Sequence, residues 1–269
     1  MGNCGKVYME IITSAQNQWV AETKKLKQKK FREESSRYLA EGLRLAEEAA
    51  KAGVVREVYY HETFGDTDRG ATLLKTLSSN TNRFFKVAGR VLDVIAETET
   101  PQGIVCVCER RQTPIREFDP GPGLVLLADG VRDPGNLGAI LRTLWAAGGR
   151  GLICLSGTTD PFGGKCVRAS MGGVFHVPVF TDIAWKTAAR WALDRGYAAV
   201  AADAGGGKDF RRMNWPTKTL LCIGNEAGGL LTVPAEEVAE RVFVPLAEGA
   251  ESLNAAVAAG ILIFSIPTV

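Results

Sequence analysis

The chain has 269 residues, 46% of them hydrophobic, 23% charged, with a formal net charge of +2. That length accommodates two domains of ordinary size, and the apolar fraction suffices for a substantial buried core, so a soluble globular protein is expected. A surplus of two charges does not mark a nucleic-acid binder, so any such reading must rest on where the basic residues lie.

No apolar run reaches the roughly 20 residues needed to span a bilayer, and no charged-then-apolar signal opens the chain. Met1, Gly2 and Cys4 hint at lipidation, but Lys6 stands where a Ser or Thr is required, so that hint is set aside. The six cysteines, Cys4, Cys106, Cys108, Cys154, Cys166 and Cys222, are scattered, and three of them sit in apolar strand-like runs. They read as reduced core residues of a cytoplasmic protein. With no CxxC pair and only His61 and His176, the expected metal content is none.

From Ala21 to Ala52 the sequence lacks Pro, is rich in charge, and spaces Leu and Ala near the helical period up to Gly53, which predicts helix. Within it KKLKQKKFR, from Lys24 to Arg32, is strongly basic. VVREVYYH (Val54–His61) predicts a strand, ATLLKTLSSN (Ala71–Asn80) a helix, FFKVAGRVLDVIAE (Phe84–Glu97) a strand or a helix, and GIVCVCER (Gly103–Arg110) a strand. RRQTPIREFDPGPG (Arg110–Gly123) concentrates Pro, Gly and charge and is the best linker candidate. The expected division is a small α/β domain over 1–110, a linker over 111–122 and a second α/β domain over 123–269. In the latter, LVLLADG, GLICLSG, VFHVPVF, YAAVAADA, TLLCIGNE and RVFVPL read as short buried strands. They are separated by helical segments such as LGAILRTLWAAGG and IAWKTAARWALDRG, and such alternation predicts a mostly parallel sheet covered on both faces.

Familiar α/β chemistries are poorly supported. GGK at Gly163–Lys165 and GGGK at Gly205–Lys208 lack the first glycine and final hydroxyl of a phosphate-binding loop, and no GxGxxG turn follows LVLLADG or TLLCIG. RASMGG around Ser170 lacks the leading glycine of a nucleophile elbow. What remains is three segments of one layout, a buried run leading into a turn rich in Gly, Asn or Ser: DGVRDPGNLGAILRTLWAAGG (Asp129–Gly149), LCIGNEAGGL (Leu221–Leu230) and EGAESLNAAVAAGILIF (Glu248–Phe264). Such turns place backbone N–H groups and short polar side chains at strand ends, where α/β sheets hold ligands.

DPGNLGAILRT, GNEAGGL and AESLNAAVAAGILIF resemble the three ordered motifs of the SpoU family of RNA ribose 2′-O-methyltransferases, in the SPOUT class. SAQNQWVAETKKLKQKKFREESSRYLAEGLRLAEEA and TPQGIVCVCER resemble the substrate-binding domain that precedes the catalytic one in many members. Met171 departs from the family's usual small residue. The resemblance implies a C-terminal α/β domain closed by a trefoil knot, S-adenosyl-L-methionine as cofactor, RNA as substrate, and a homodimer packed through the final helix. Ala255–Phe264 is apolar nearly all round, which agrees with burial on every side.

The same resemblance implies a catalytic set of Asn136, Arg142, Glu226, Ser252 and Asn254, and cofactor contacts at Ala202, Gly224, Asn225, Glu226, Val244, Leu246, Ser252 and Leu253. An arginine stays protonated because its pKa exceeds ~12, so Arg142 is expected to grip a phosphate and stabilise the developing alkoxide. The proton then leaves to Glu226, a phosphate oxygen or water. Plainer roles are open beside these: Arg142 as a helix-surface charge, Asn136 as the cap of a helix beginning near Leu137, Glu226 as a solvated carboxylate, and Ser252 with Asn254 as the cap of the last helix. Lys24, Lys25, Lys27, Lys29, Lys30 and Arg32 are the expected RNA phosphate contacts, or else a solvated helix face. Ribosomal RNA is the expected substrate, with transfer RNA, or a non-catalytic RNA-binding or ribosome-assembly role, as alternatives.

Overall fold

A computed structural model of the chain describes residues 11–81, 83–111, 113–226 and 228–267. The lipidation hint at Met1, Gly2 and Cys4 lies outside these residues. Two compact units, Met1–Arg111 and Gln112–Val269, divide the chain.

In the first unit the predicted long helix is corrected. The segment folds as α1 (Gln18–Lys25), α2 (Lys29–Ser35), β1 (Arg37–Glu41) and α3 (Leu43–Ala52). Ser36 in the left-handed conformation (φ 55°) ends α2, and Gly42 (φ 95°) precedes α3. Between them Tyr38, Leu39 and Ala40 are buried in succession, as in a strand covered on both faces. Five residues are too few for a strand period to emerge from a segment otherwise rich in helix formers. The rest follows as β2 (Val55–Tyr60), α4 (Asp68–Asn80), β3 (Arg83–Lys86), α5 (Gly89–Ile95) and β4 (Ile104–Glu109). Phe84–Glu97, open between strand and helix, supplies one of each. The sheet order is β1-β4-β2-β3, with β4 antiparallel to both neighbours and β2 parallel to β3. Val20, Leu39, Tyr59, Phe85, Val91, Ile95 and Val107 pack as one core against α1 and α5.

In the second unit β5 (Gly123–Ala128), β6 (Gly151–Leu155), β7 (Val179–Ile183), β8 (Ala198–Ala202), β9 (Lys208–Asp209), β10 (Lys218–Ile223) and β11 (Glu240–Phe243) form a sheet ordered β7-β6-β5-β10-β8-β11-β9. Every pairing in it is parallel. Consecutive burial along β5, β6 and β10 means both faces are covered, by α6 (Pro134–Ala146), α7 (Gly164–Ala169), α8 (Gly173–His176), α9 (Trp185–Arg195) and α10 (Ala255–Ser265) among the described helices. VFHVPVF, expected as one strand, divides into α8 and the start of β7 around Pro178, which lacks the N–H a ladder needs. Met171, the departure from the family pattern, takes φ 49° just after α7, a conformation unusual for a side chain of its size.

The Pro- and Gly-rich segment before β5 is anchored to the second unit. Phe118 stacks on Trp191 and tilts against Phe180, Arg195 donates to the carbonyls of Arg116 and Phe118, and Tyr197 Oη donates to Gly121 O.

One carboxylate ties the sheet to the loop after β10. Asp129, at the end of β5 and fully buried, accepts the backbone N–H groups of Leu231 (2.7 Å), Thr232 (2.7 Å) and Val233 (3.2 Å), and the Thr232 hydroxyl (2.9 Å). Four donors converge on one anion without a cation in the cluster. Removing the acceptor strands one buried backbone donor, that of Val233, at a cost of ~1–3 kcal/mol, and loosens two part-buried ones, those of Leu231 and Thr232. Asp129→Ala is therefore expected to destabilise the second unit by about 2 kcal/mol, read as a lowered midpoint in thermal and urea unfolding.

Candidate active site

Strands β5, β10, β8 and β11 are consecutive in the parallel sheet, so the loops leaving their carboxyl ends share one edge. Ligands of open parallel sheets settle at that edge. β5 leads through Asp129–Asp133 into α6, β10 into Gly224–Glu226, β8 ends at Ala202, and β11 continues into Val244–Leu246.

The start of α6 corrects one expectation. Asp133, rather than Asn136, caps the helix: its carboxylate accepts the Asn136 backbone N–H at 2.9 Å, with Pro134 opening the first turn. Lys165 Nζ donates to the other carboxylate oxygen at 2.9 Å, and this contact, with the Asn136 N–H, holds the Asp133 carboxyl below the usual carboxylate range.

Relieved of capping, the Asn136 side chain joins the other two motifs. Its Nδ2 donates to Glu226 Oε1 at 2.8 Å, and its Oδ1 accepts from Asn254 Nδ2 at 2.9 Å. Asn254 is the cap of α10, its Oδ1 accepting the N–H groups of Ala256 (2.9 Å) and Val257 (3.3 Å). The direction of the chain is forced from both ends. Helix N–H groups only donate and an ionised carboxylate only accepts, so each asparagine must turn its oxygen toward α10 and its amide N–H toward Glu226. The result is a polarised relay from the positive end of a helix, through two amides, to one carboxylate.

The Glu226 turn is fixed independently. Asn225 Nδ2 donates to Gly130 O at 2.8 Å, and the Asn225 and Gly229 backbones exchange hydrogen bonds of 2.7 and 3.0 Å. Gly224 packs so closely on this turn that a Cβ there would lie 2.1 Å from the carbonyl carbon of Gly229, so any side chain is excluded.

Of the remaining sequence-predicted residues, Arg142 is exposed on α6 and stands apart from the relay. Six residues beyond Asn136, it lies about 9 Å along the axis and roughly 120° around it. Ser252 is exposed and takes no part in capping α10, which Asn254 performs alone. Ala202 and Val244 are half-buried at adjacent strand ends, whereas Leu246 and Leu253 are 37% and 38% exposed. Among the described residues no group of three or more His, Cys, Asp or Glu side chains is placed to hold a metal ion.

The basic run of the first unit is not the uniform cationic face its sequence predicts. Lys25 pairs with Glu22 (2.6 Å), Lys29 with Glu33 (3.5 Å) and Lys30 with Glu34 (3.9 Å) on their own helices. Arg32 is 8% exposed and donates to Leu26 O at 2.8 Å, so it closes the α1–α2 turn from inside; as a surface phosphate contact it is corrected. Lys24 is exposed, and burial lowers the pKa of half-buried Lys27.

Two site-shaping residues escaped the sequence reading. Asp133 was legible, because Asp-Pro before an apolar periodic run is a helix-start signature. Asp129 was not, since its partners lie about a hundred residues away.

The description "SpoU rRNA Methylase family" matches residues 123–264, and "MRM3-like substrate binding domain" matches 17–106. The chain is similar to the 23S rRNA (guanosine(2553)-2′-O)-methyltransferase RlmP of Bacillus subtilis, 34% identical over 95% of this chain and 98% of that one. It is also similar to the solved AdoMet-bound rRNA methyltransferase of Sinorhizobium meliloti, with 34% identity, TM-score 0.84, and coverage of 95% and 96%. A third likeness is to the SpoU methyltransferase AviRb of Streptomyces viridochromogenes in complex with AdoMet, with 26% identity, TM-score 0.84, and coverage of 93% and 97%. Matched through both the family description and a relative that it spans almost end to end, the chain belongs to the SpoU rRNA methylase family.

Proposed function

We propose that the protein methylates a ribose 2′-hydroxyl of ribosomal RNA with S-adenosyl-L-methionine as methyl donor. The observation that carries this reading is the Asn254–Asn136–Glu226 relay, which joins the three motif segments at the carboxyl edge of the sheet. The rRNA methyltransferases named above supply the substrate class.

The loops fit the cofactor. Half-buried Ala202 and Val244 with partly exposed Leu246 and Leu253 would offer apolar surface for an adenine, and the Gly224–Glu226 turn would edge it with backbone groups. When bound, the cofactor supplies an electrophilic methyl group on sulfur. The chain's own residues must then orient the ribose and remove its proton. Alignment of two reactants contributes up to ~7–11 kcal/mol, and a relay fixed at both ends serves alignment by holding Glu226 in one position. Glu226 would take the ribose O–H proton on its carboxylate as the ribose oxygen accepts the methyl group, the methyl C–S bond breaking to leave a neutral thioether. Arg142, exposed, permanently charged and set apart from the relay, grips a phosphate of the RNA beside the target ribose.

A homodimer is part of the proposal. α10 buries Ala259, Leu262 and Ile263 but leaves Val257 and Phe264 51% and 66% exposed, an apolar face for the same helix of a second copy. The domain roles follow the same reading, with 1–110 gripping RNA, 111–122 connecting, and 123–269 catalysing inside the knotted arrangement expected of the family. Cys106, Cys108, Cys154, Cys166 and Cys222 are buried free thiols, which supports a reducing cytoplasmic setting.

The deciding experiment incubates purified protein with methyl-labelled S-adenosyl-L-methionine and unmodified ribosomal RNA, then maps 2′-O-methylation by mass spectrometry. One modified nucleotide, absent from RNA of cells lacking the protein, is expected; label on bases alone, or none, refutes the reading. Asn136→Asp removes the donor facing Glu226 and sets two carboxylates together, so kcat/KM is expected to fall roughly 100-fold with the melting temperature little changed. Glu226→Gln keeps an acceptor for Asn136 but has no titrating group, so the acidic limb of the pH–rate profile is expected to disappear. An unchanged acidic limb removes Glu226 from the proton-accepting role.

A further inference from the structure

We infer that Arg37 and Arg83 form a prebuilt site for the phosphodiester backbone of RNA on the first unit, a proposal that rests on the RNA-methylating reading. The site is organised by Glu57 of β2, which is 4% exposed. Its Oε1 accepts from Arg37 Nη1 at 3.0 Å and from Arg83 Nη1 at 2.6 Å, and its Oε2 accepts the Tyr59 hydroxyl at 2.9 Å. The Tyr59 hydroxyl in turn accepts from Thr23 Oγ1 of α1 at 2.9 Å. Three strands contribute: Arg83 on β3 lies directly opposite Glu57, and Arg37 on β1 reaches across β4.

Charge and geometry distinguish this cluster from an ordinary ion pair. Glu57 carries one negative charge and holds two arginines, which leaves a net positive charge. Both guanidinium side chains remain 40% and 41% exposed, and each gives Glu57 only one terminal nitrogen, leaving most of its five N–H donors for an outside acceptor. Arg83 is also held face-on, 4.2 Å above the Trp19 ring, and Trp19 stacks on Phe85, which stacks on Tyr59. A guanidinium fixed in plane by a carboxylate and from above by an indole has already lost the side-chain freedom that binding would otherwise cost.

Planar forks with acceptor-seeking N–H groups match phosphate oxygens, and two such forks on one carboxylate can straddle the backbone of a single strand. Because Arg83 covers one face of Trp19, the indole is a support for the cation and not a platform for a base. The site therefore reads backbone and shape, not sequence. The lysines of α1 and α2 are less prearranged: Lys25, Lys29 and Lys30 form exposed ion pairs with glutamates one turn away, which hold them in no fixed geometry.

The test uses full-length protein, Arg37→Gln, Arg83→Gln and Arg83→Lys, with an unmodified ribosomal RNA fragment, measuring affinity by fluorescence anisotropy across a salt series. Each Gln variant is expected to weaken binding about 10-fold and to lower the salt slope by about 1, with S-adenosyl-L-methionine affinity unchanged. Arg83→Lys keeps the slope but loses part of the affinity, since it retains charge without the fork. Should the variants fold poorly, phenylglyoxal modification of the wild-type protein with and without RNA gives the same answer, RNA protecting Arg37 and Arg83. Wild-type protein that methylates the RNA while folded Gln variants bind with unaltered affinity and slope, or arginines that RNA leaves reactive, overturns the site and leaves the enzymatic reading standing. Protein that binds RNA through these arginines yet transfers no methyl group keeps the site and overturns the enzymatic reading.

Discussion

The second unit depends on a buried carboxylate with no cation in its cluster. Asp129 directly follows the inner strand β5 and gathers three backbone N–H groups and a hydroxyl from Leu231–Val233. A charge inside a protein is tolerable only when every lone pair is used, so the arrangement works in one geometry and penalises neighbouring ones. It fixes where the chain goes after leaving β10, and the Glu226 turn is carried in that passage. The Asn225 amide on Gly130 O and the steric demand at Gly224 act on the same segment. The site thus rests on backbone hydrogen bonds and close packing, with no dependence on loop length or composition alone.

Polarity organises the site itself. The first turn of α10 exposes N–H donors, Asn254 takes them up, and the amide sequence Asn254–Asn136 delivers donors to Glu226. A carboxylate so fixed is oriented before any ligand arrives, which is what catalysis by alignment requires. Asp133 makes this possible by taking over the capping duty at α6. In the first unit the same economy recurs with opposite sign: Glu57 is buried in order to hold two arginines at the surface.

Charge illustrates how far a linear reading carries. KKLKQKKFR is conspicuous in sequence, yet helical spacing sets its lysines beside Glu22, Glu33 and Glu34 and turns Arg32 inward. Arg37, Glu57 and Arg83 are scattered along the chain and unremarkable there, and only the pairing of β3 with β2 and of both β1 and β2 with β4 unites them. Local sequence reports charge density, whereas the field at a surface depends on which residues become neighbours.

What the sequence determined by itself was the alternation of buried strands and amphipathic helices in the second unit, because apolar runs and turn chemistry are local properties; the family, with Asn136, Glu226 and Asn254 as candidates, came from the resemblance of three motifs. Strand β1 was hidden in helix-forming residues, since its three buried positions are covered by distant partners and not marked by their own pattern. Tertiary structure alone decided which asparagine caps which helix, that Ser252 caps none, how the relay is polarised, and that Asp129 and Glu57 hold their respective loops and arginines. Hydrogen bonds between residues a hundred positions apart leave no periodic trace in a chain; they exist only once the sheet has brought its strand ends to one edge.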